Sequence, residues 1–141
     1  MIFSRSNALC GTVLALFLLA AQPIRAEYLR IELKVFGLDC ELCARGVSAS
    51  IGRLPGVEKV NVSLKTGLLE IVLMPGNIFK MSDLRKRIRE NGFRSMEATV
   101  TAIGRFNGSK FEVLGSGESY DLASQASKAV INPTEITFDV R

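Results

Sequence analysis

The chain has 141 residues, 48% of them hydrophobic, enough to build one ordinary domain around a real core and to exclude disorder over most of its length. Its formal charge of +4 falls to +2 if Arg5 and Arg25 leave with the N-terminal segment, so the charge balance does not call for nucleic acid as a partner. The chain contains no histidine, which removes imidazole sites and with them the ordinary zinc enzymes.

The first 26 residues, "MIFSRSNALCGTVLALFLLAAQPIRA", place Arg5 ahead of an apolar run from Ala8 to Ala21 and end on the small residue Ala26. This pattern reads as a secretory signal peptide cleaved after Ala26. The run falls short of the roughly 20 residues that cross a bilayer, so no stable transmembrane anchor is expected. Cys10 is not at the end of the apolar run, where a lipid-bearing cysteine would sit, and it leaves with the leader. The expectation is an exported, periplasmic protein of residues 27–141 with Cys40 and Cys43 as its remaining thiols. In an oxidising compartment such a pair can close into a disulfide, and at this spacing it can equally hold a metal ion.

"YLRIELKVF", Tyr28 to Phe36, sets Leu29, Ile31, Leu33 and Val35 against Arg30, Glu32 and Lys34, the alternation of a half-buried strand. Beyond the loop "GLDCELC", the spacing of Ala44, Val47, Ile51 and Leu54 predicts an amphipathic helix stopped by Pro55-Gly56. "VEKVNVSL" reads as a strand, with the step from Val57 to Val60 suggesting a slip near its start. "LLEIVLM", Leu68 to Met74, is a further strand, ended by Pro75-Gly76. From Lys80 to Glu90, Met81, Leu84 and Ile88 form one helical stripe, with Ser82 or Asn77 as N-cap and Asn91-Gly92 as the stop. The other face carries Lys80, Arg85, Lys86, Arg87 and Arg89, read as a solvated face or a dock for an acidic partner. Met74, Met81 and Met96 are read as core. "FRSMEATVTAIGRF" begins a fourth strand.

Strand, helix, strand, strand, helix, strand is the α+β, ferredoxin-like β-α-β-β-α-β order, a sheet with two helices on one face. It is complete by about Ile103. Residues 104–141 then form a C-terminal β extension, with Arg105 to Gly115 a hairpin turning at Asn107-Gly108. "ESYDLA" and "ITFDV" are strand-like, and "SQASKAVINPTE" is weakly structured by composition.

With "GLDCELC" between the first strand and first helix, followed by "ARGVSASIGRLPGVEKVNVSL", the stretch from about Arg30 to Val100 resembles the heavy-metal-associated domain family. Gly92-Phe93 matches the family's aromatic loop. That family includes modules of copper chaperones, metal-exporting ATPases and periplasmic mercury-binding proteins. The resemblance implies metal binding through Cys40 and Cys43, with a metal transporter or its metal-binding domain as partner. Independently of any family, two cysteines entering a helix place two sulfurs near its positive end and near one another, a site for soft ions.

Leu38 and Asp39 stand where the usual family loop has Met and Thr. Leu38 is a mild change at an apolar plug. Asp39 resembles the variant of zinc-, cadmium- and lead-exporting ATPases, in which that carboxylate is a ligand. A third, hard ligand suits a four-coordinate divalent ion and adds little for linear Cu(I), so Asp39 favours a Zn, Cd or Pb type of ion over Cu(I) or Hg(II). Glu41 is read as a charge in the first helical turn. Two other readings stand beside the metal carrier: an interaction module whose extension binds a partner, and a thiol-disulfide redox protein. With no nucleophile-base pair and no phosphate-cradling loop in the sequence, the chain is not expected to be an enzyme.

Overall fold

A computed structural model of the protein describes residues 27–122, 130–131 and 136–140. The expected signal peptide at 1–26, and most of the stretch 124–135, lie outside these residues. In chain order the elements are β1 (Tyr28–Phe36), α1 (Glu41–Ile51), β2 (Val57–Ser63), β3 (Leu68–Leu73), α2 (Met81–Glu90) and β4 (Arg94–Ala102). Then follow β5 (Arg105–Asn107), β6 (Lys110–Val113), β7 (Glu118–Asp121), β8 (Val130–Ile131) and β9 (Ile136–Val140).

β1 lies antiparallel between β3 and β4, and β2 flanks β3, so the first four strands run β2-β3-β1-β4, the ferredoxin-like order. Alternate residues along these strands, Ile31, Leu33, Leu69, Ile71 and Val100, are fully buried and share one core with Val47 and Ile51 of α1 and Leu84 and Ile88 of α2. Burying each such side chain contributes about 1.5–3 kcal/mol. α1 ends sooner than Pro55-Gly56 would stop it: Gly52 caps it, and Leu54 reaches the core from the following turn.

Strand phase departs from simple alternation at three register shifts, one of them between Leu33 and Val35 in the β1–β4 pairing. Between Tyr28 and Arg30 the β1–β4 register shifts, so Tyr28 is buried while Leu29, expected on the core face, is only half-buried. The slip expected near Val57 is present as a register shift between Val57 and Lys59. Of the three methionines assigned to the core, Met81 is buried, but Met74 and Met96 are 49% and 40% exposed. Met74 lies just beyond β3, next to the buried Leu73 and in the outward phase, and Met96 falls inside β4 at the register shift opposite Leu33–Val35, where apolar character does not decide burial.

The hairpin expected at Asn107-Gly108 forms one residue later, with Asn107 paired to Lys110 across Gly108-Ser109. It is two thirds of a β5-β6-β7 meander. A Cβ at Gly104 would collide with the Glu112 carbonyl and the Phe111 ring, so only glycine lets the chain turn from β4 into this meander at such close range. β9 instead adds to the main sheet along β4, from Ala98 opposite Val140 to Ala102 opposite Ile136, and β8 pairs with β9. The extension is therefore more than a hairpin. Phe138 of β9 joins the two sheets, its ring 5.6 Å from Phe111 and 5.0 Å from Tyr120.

Neither Ser82 nor Asn77 caps α2. The N-cap position is Lys80, without a side-chain bond, and the Met81 and Ser82 N–H groups donate to the Glu118 carboxylate of β7 at 2.8 and 3.2 Å. The same carboxylate accepts from the Tyr28 hydroxyl at 2.5 Å, and Tyr28 and Tyr120 share a hydrogen bond of 2.6 Å. Asn77 is occupied elsewhere, donating to the Tyr28 and Met74 carbonyls at 2.8 Å. Burial drives both tyrosine hydroxyls well above their ordinary pKa, and for Tyr28 the neighbouring Tyr120 and Glu118 raise it further.

The basic face of α2 is not uniformly solvated. Arg85 turns inward, donating to Ser95 Oγ and the Met96 and Val140 carbonyls at 3.0–3.3 Å, and burial lowers its pKa. Lys86 and Arg87 both approach Glu90. Lys80 and Arg89 remain exposed.

Candidate metal centre

At the end of β1 the chain turns through Gly37, whose φ of 85° belongs to the left-handed region, into the loop that carries the predicted ligands. Leu38 is buried at 3% exposure and anchors the loop in the core, as an apolar plug should. Asp39 and Cys40 on either side of the bend face solvent. Cys40 has extended backbone angles and serves as the N-cap of α1, its carbonyl accepting from Ala44 N at 2.9 Å. Its Sγ accepts from the Cys43 N–H at 3.0 Å. That N–H and the positive helix end stabilise negative charge on sulfur.

Cys43, one turn into α1, is half-buried and packs against the core. The two cysteines are joined as a disulfide, with Cα atoms 5.2 Å apart. Of the two, Cys40 is exposed and Cys43 is partly shielded. Glu41 is the acidic residue of the first turn and pairs with Arg45 at 2.5 Å, the ordinary helix-surface role. Phe93 is half-buried against the core, and a Cβ on Gly37 would lie 3.9 Å from its ring, so it both packs and borders the loop.

Cys40 and Cys43 are thus brought together, and Asp39 adjoins them in sequence. Among the described residues, no three or more Cys, Asp or Glu side chains converge into a ready-made metal cage. No helix among these residues is long and apolar enough to cross a membrane.

A family model described as "Heavy-metal-associated domain" matches residues 32–94, from within β1 to the start of β4. The copper chaperone CopZ of Bacillus subtilis (strain 168) is 30% identical over 61 residues, covering 43% of this chain and 87% of the chaperone. The chain belongs to the heavy-metal-associated domain family. Copper-transporting ATPase 1 of Mus musculus is 29% identical over 69 residues, which is 49% of this chain but only 5% of the ATPase. The match is thus to a small module of that transporter. The solved structure of oxidized MerP from Ralstonia metallidurans CH34 is 25% identical, covers 49% of this chain and 94% of that one, and superposes with a TM-score of 0.45.

Within this heavy-metal-associated domain, the site loop was legible because it is local: spacing alone puts both cysteines at the start of α1. Sequence reasoning singled out Phe93 and Arg89 separately but missed that they line one cleft with Phe36 and Arg94. The signal for them was weak, since charges at helix and strand ends usually face water without consequence.

Proposed function

We propose that the chain is an exported, periplasmic carrier of a soft or borderline metal ion, and not an enzyme. In this reading the reduced Cys40 and Cys43 hold the ion, and Asp39 is an auxiliary ligand. The observation that carries it is the pair of sulfurs at the N-terminus of α1, one of them exposed, with the Cys43 N–H directed at Cys40 Sγ. The leader-like segment 1–26 supports export. The ion is cargo, so the site must release it: a partner's thiolate binds the metal, the exposed Cys40 leaves first, and the shielded Cys43 follows. The acceptor would be a metal transporter or its metal-binding domain, as the similarity to a module of a copper-transporting ATPase suggests.

Relatives named for copper support Cu(I), while Asp39 supports a four-coordinate divalent ion such as Zn(II), Cd(II) or Pb(II). We favour the divalent ion, with Hg(II) and Cu(I) as the soft alternatives. In the disulfide form neither sulfur has a thiolate to donate, so reduction precedes loading. Titration of the reduced chain with Zn(II) and Cu(I) should give one ion per chain. Cys40→Ser and Cys43→Ser should each weaken the preferred ion about a hundredfold, roughly 2.7 kcal/mol. Near-native affinity in either variant would place the site elsewhere.

A further inference from the structure

The main sheet has two edges, and the chain blunts only one of them. β9 adds antiparallel to β4 and β8 follows, so that side finishes in a strand of two residues. The other side finishes in β2, which has seven residues and pairs with β3 alone among the described strands. The outer strands of the meander, β5 and β7, have three and four residues. Among the described residues β2 is therefore the longest open edge, and its outer row of backbone N–H and C=O groups is a template for a further strand.

Its side chains are not those of a strand finished in water. Val60 and Val62 lie opposite the buried Ile71 and Leu69 and share their inward phase, yet both stay half-buried, and Leu64, two residues on, is 40% exposed. α1 covers this stripe incompletely: a cleft of about 450 Å³ opens between Val62 and Leu64 on one side and Ala44, Ser48 and Ala49 on the other. The charges that would blunt the edge, Glu58 and Lys59, stand before the stripe, at the register shift. From Val60 to Leu64 no residue is charged.

The occupant follows from the strand's own symmetry. Val60-Asn61-Val62 reads the same in both directions, so antiparallel pairing of β2 with itself about Asn61 sets Val60 of each copy against Val62 of the other, on the inward face of both. The same register puts Lys59 opposite Ser63 and Glu58 opposite Leu64, so no like charges face one another.

We propose that β2 pairs with β2 of a second copy, antiparallel about Asn61, to form a two-fold dimer with one sheet continuous through both chains. The axis stands normal to the sheet, so both α1 helices lie on the same face and flank a shared cleft. The β2–β3 turn is at the metal-loop end of the sheet, where the Val35 N–H donates to the Gly67 carbonyl. The two metal loops therefore point to opposite ends of the dimer and share no ion. This interface does not rest on the carrier reading.

The test uses the full chain as its host processes it, reduced and with a chelator present, in sedimentation equilibrium. The parent should be a reversible dimer. Asn61→Lys and Asn61→Asp each set like charges against one another at the axis, and each should raise the dissociation constant by about tenfold or more with far-ultraviolet circular dichroism unchanged. Asn61→Thr, without a charge, should change it by less than about threefold. An equimolar mixture of Asn61→Lys and Asn61→Asp should associate at least as tightly as the parent, because opposite charges then meet. A parent that stays monomeric up to millimolar concentration overturns the dimer and leaves the edge for a strand of a different protein. Association that neither charged variant moves, or that requires metal, also overturns it. Failure of the mixture to recover overturns the pairing about Asn61.

Discussion

Asp39 is the residue on which metal choice turns. It is exposed, immediately before Cys40, and it is its neighbour Leu38 that is buried in the core. Replacing it should therefore leave the fold intact, with Asp39→Thr shifting stability by at most ~0.5 kcal/mol. Its effect should appear in selectivity, because a divalent ion would lose a ligand and a charge while linear Cu(I) would lose neither. Zn(II) and Cu(I) affinities measured on both proteins under reducing conditions should show about a tenfold relative loss for zinc, or about 1.4 kcal/mol. If both affinities move together, Asp39 is a surface charge and the preference for a divalent ion goes with it. Arg85 is the opposite case at this scale: one of four cations within α2, it is set apart only by the carbonyls of β4 and β9 that it meets.

Among the elements, α2 depends on a residue 36 positions beyond its first turn. Glu118 supplies what a local Ser or Asn would ordinarily supply, an acceptor for the orphan N–H groups, and adds a negative charge at the positive helix end. Glu118→Ala would leave two N–H groups and the Tyr28 hydroxyl without this partner and should cost about 1–3 kcal/mol. Urea unfolding reads the loss, and amide exchange at Met81 and Ser82 should accelerate beyond the global change. A cost below ~0.5 kcal/mol would mean that water replaces the carboxylate without penalty. The structural consequence is that the extension and the heavy-metal-associated domain do not fold as indifferent neighbours, because β7 completes a helix of the domain.

For the whole molecule, the join between the two sheets should set the alkaline limit of stability. Tyr28 and Tyr120 are the only tyrosines in the chain and tryptophan is absent, so the tyrosinate signal comes entirely from this join. Both hydroxyls have folded-state pKa values raised above the unfolded value of about 10, chiefly by burial. The unfolded chain thus releases these protons first. Stability is fully present below pH 10 and is lost as pH rises beyond it, by up to about 1.4 kcal/mol per tyrosine per pH unit. Tyrosinate absorbance and far-ultraviolet circular dichroism should consequently change together, above the pH at which a free tyrosine ionises. A separate tyrosine titration near pH 10 with the dichroism intact would show that the hydroxyls are open to water.

What the sequence determined by itself was everything whose cause is local or periodic. Alternating Ile31, Leu33 and Val35, the helical spacing of Val47 and Ile51, and the two-residue gap between Cys40 and Cys43 specify strand, helix and a paired thiol site, because side-chain direction follows directly from backbone period. The ferredoxin-like order follows from arranging those pieces around one core. The tertiary structure decided what depends on residues distant in the chain. It put Tyr28 rather than Leu29 inside through a bulge against β4, capped α2 with Glu118, and drew Arg85 into the β4–β9 edge. It also brought Phe36 to Arg94 beside the metal loop. None of these has a periodic signature, since each is chosen by the geometry of a neighbour that the sequence names only many residues away.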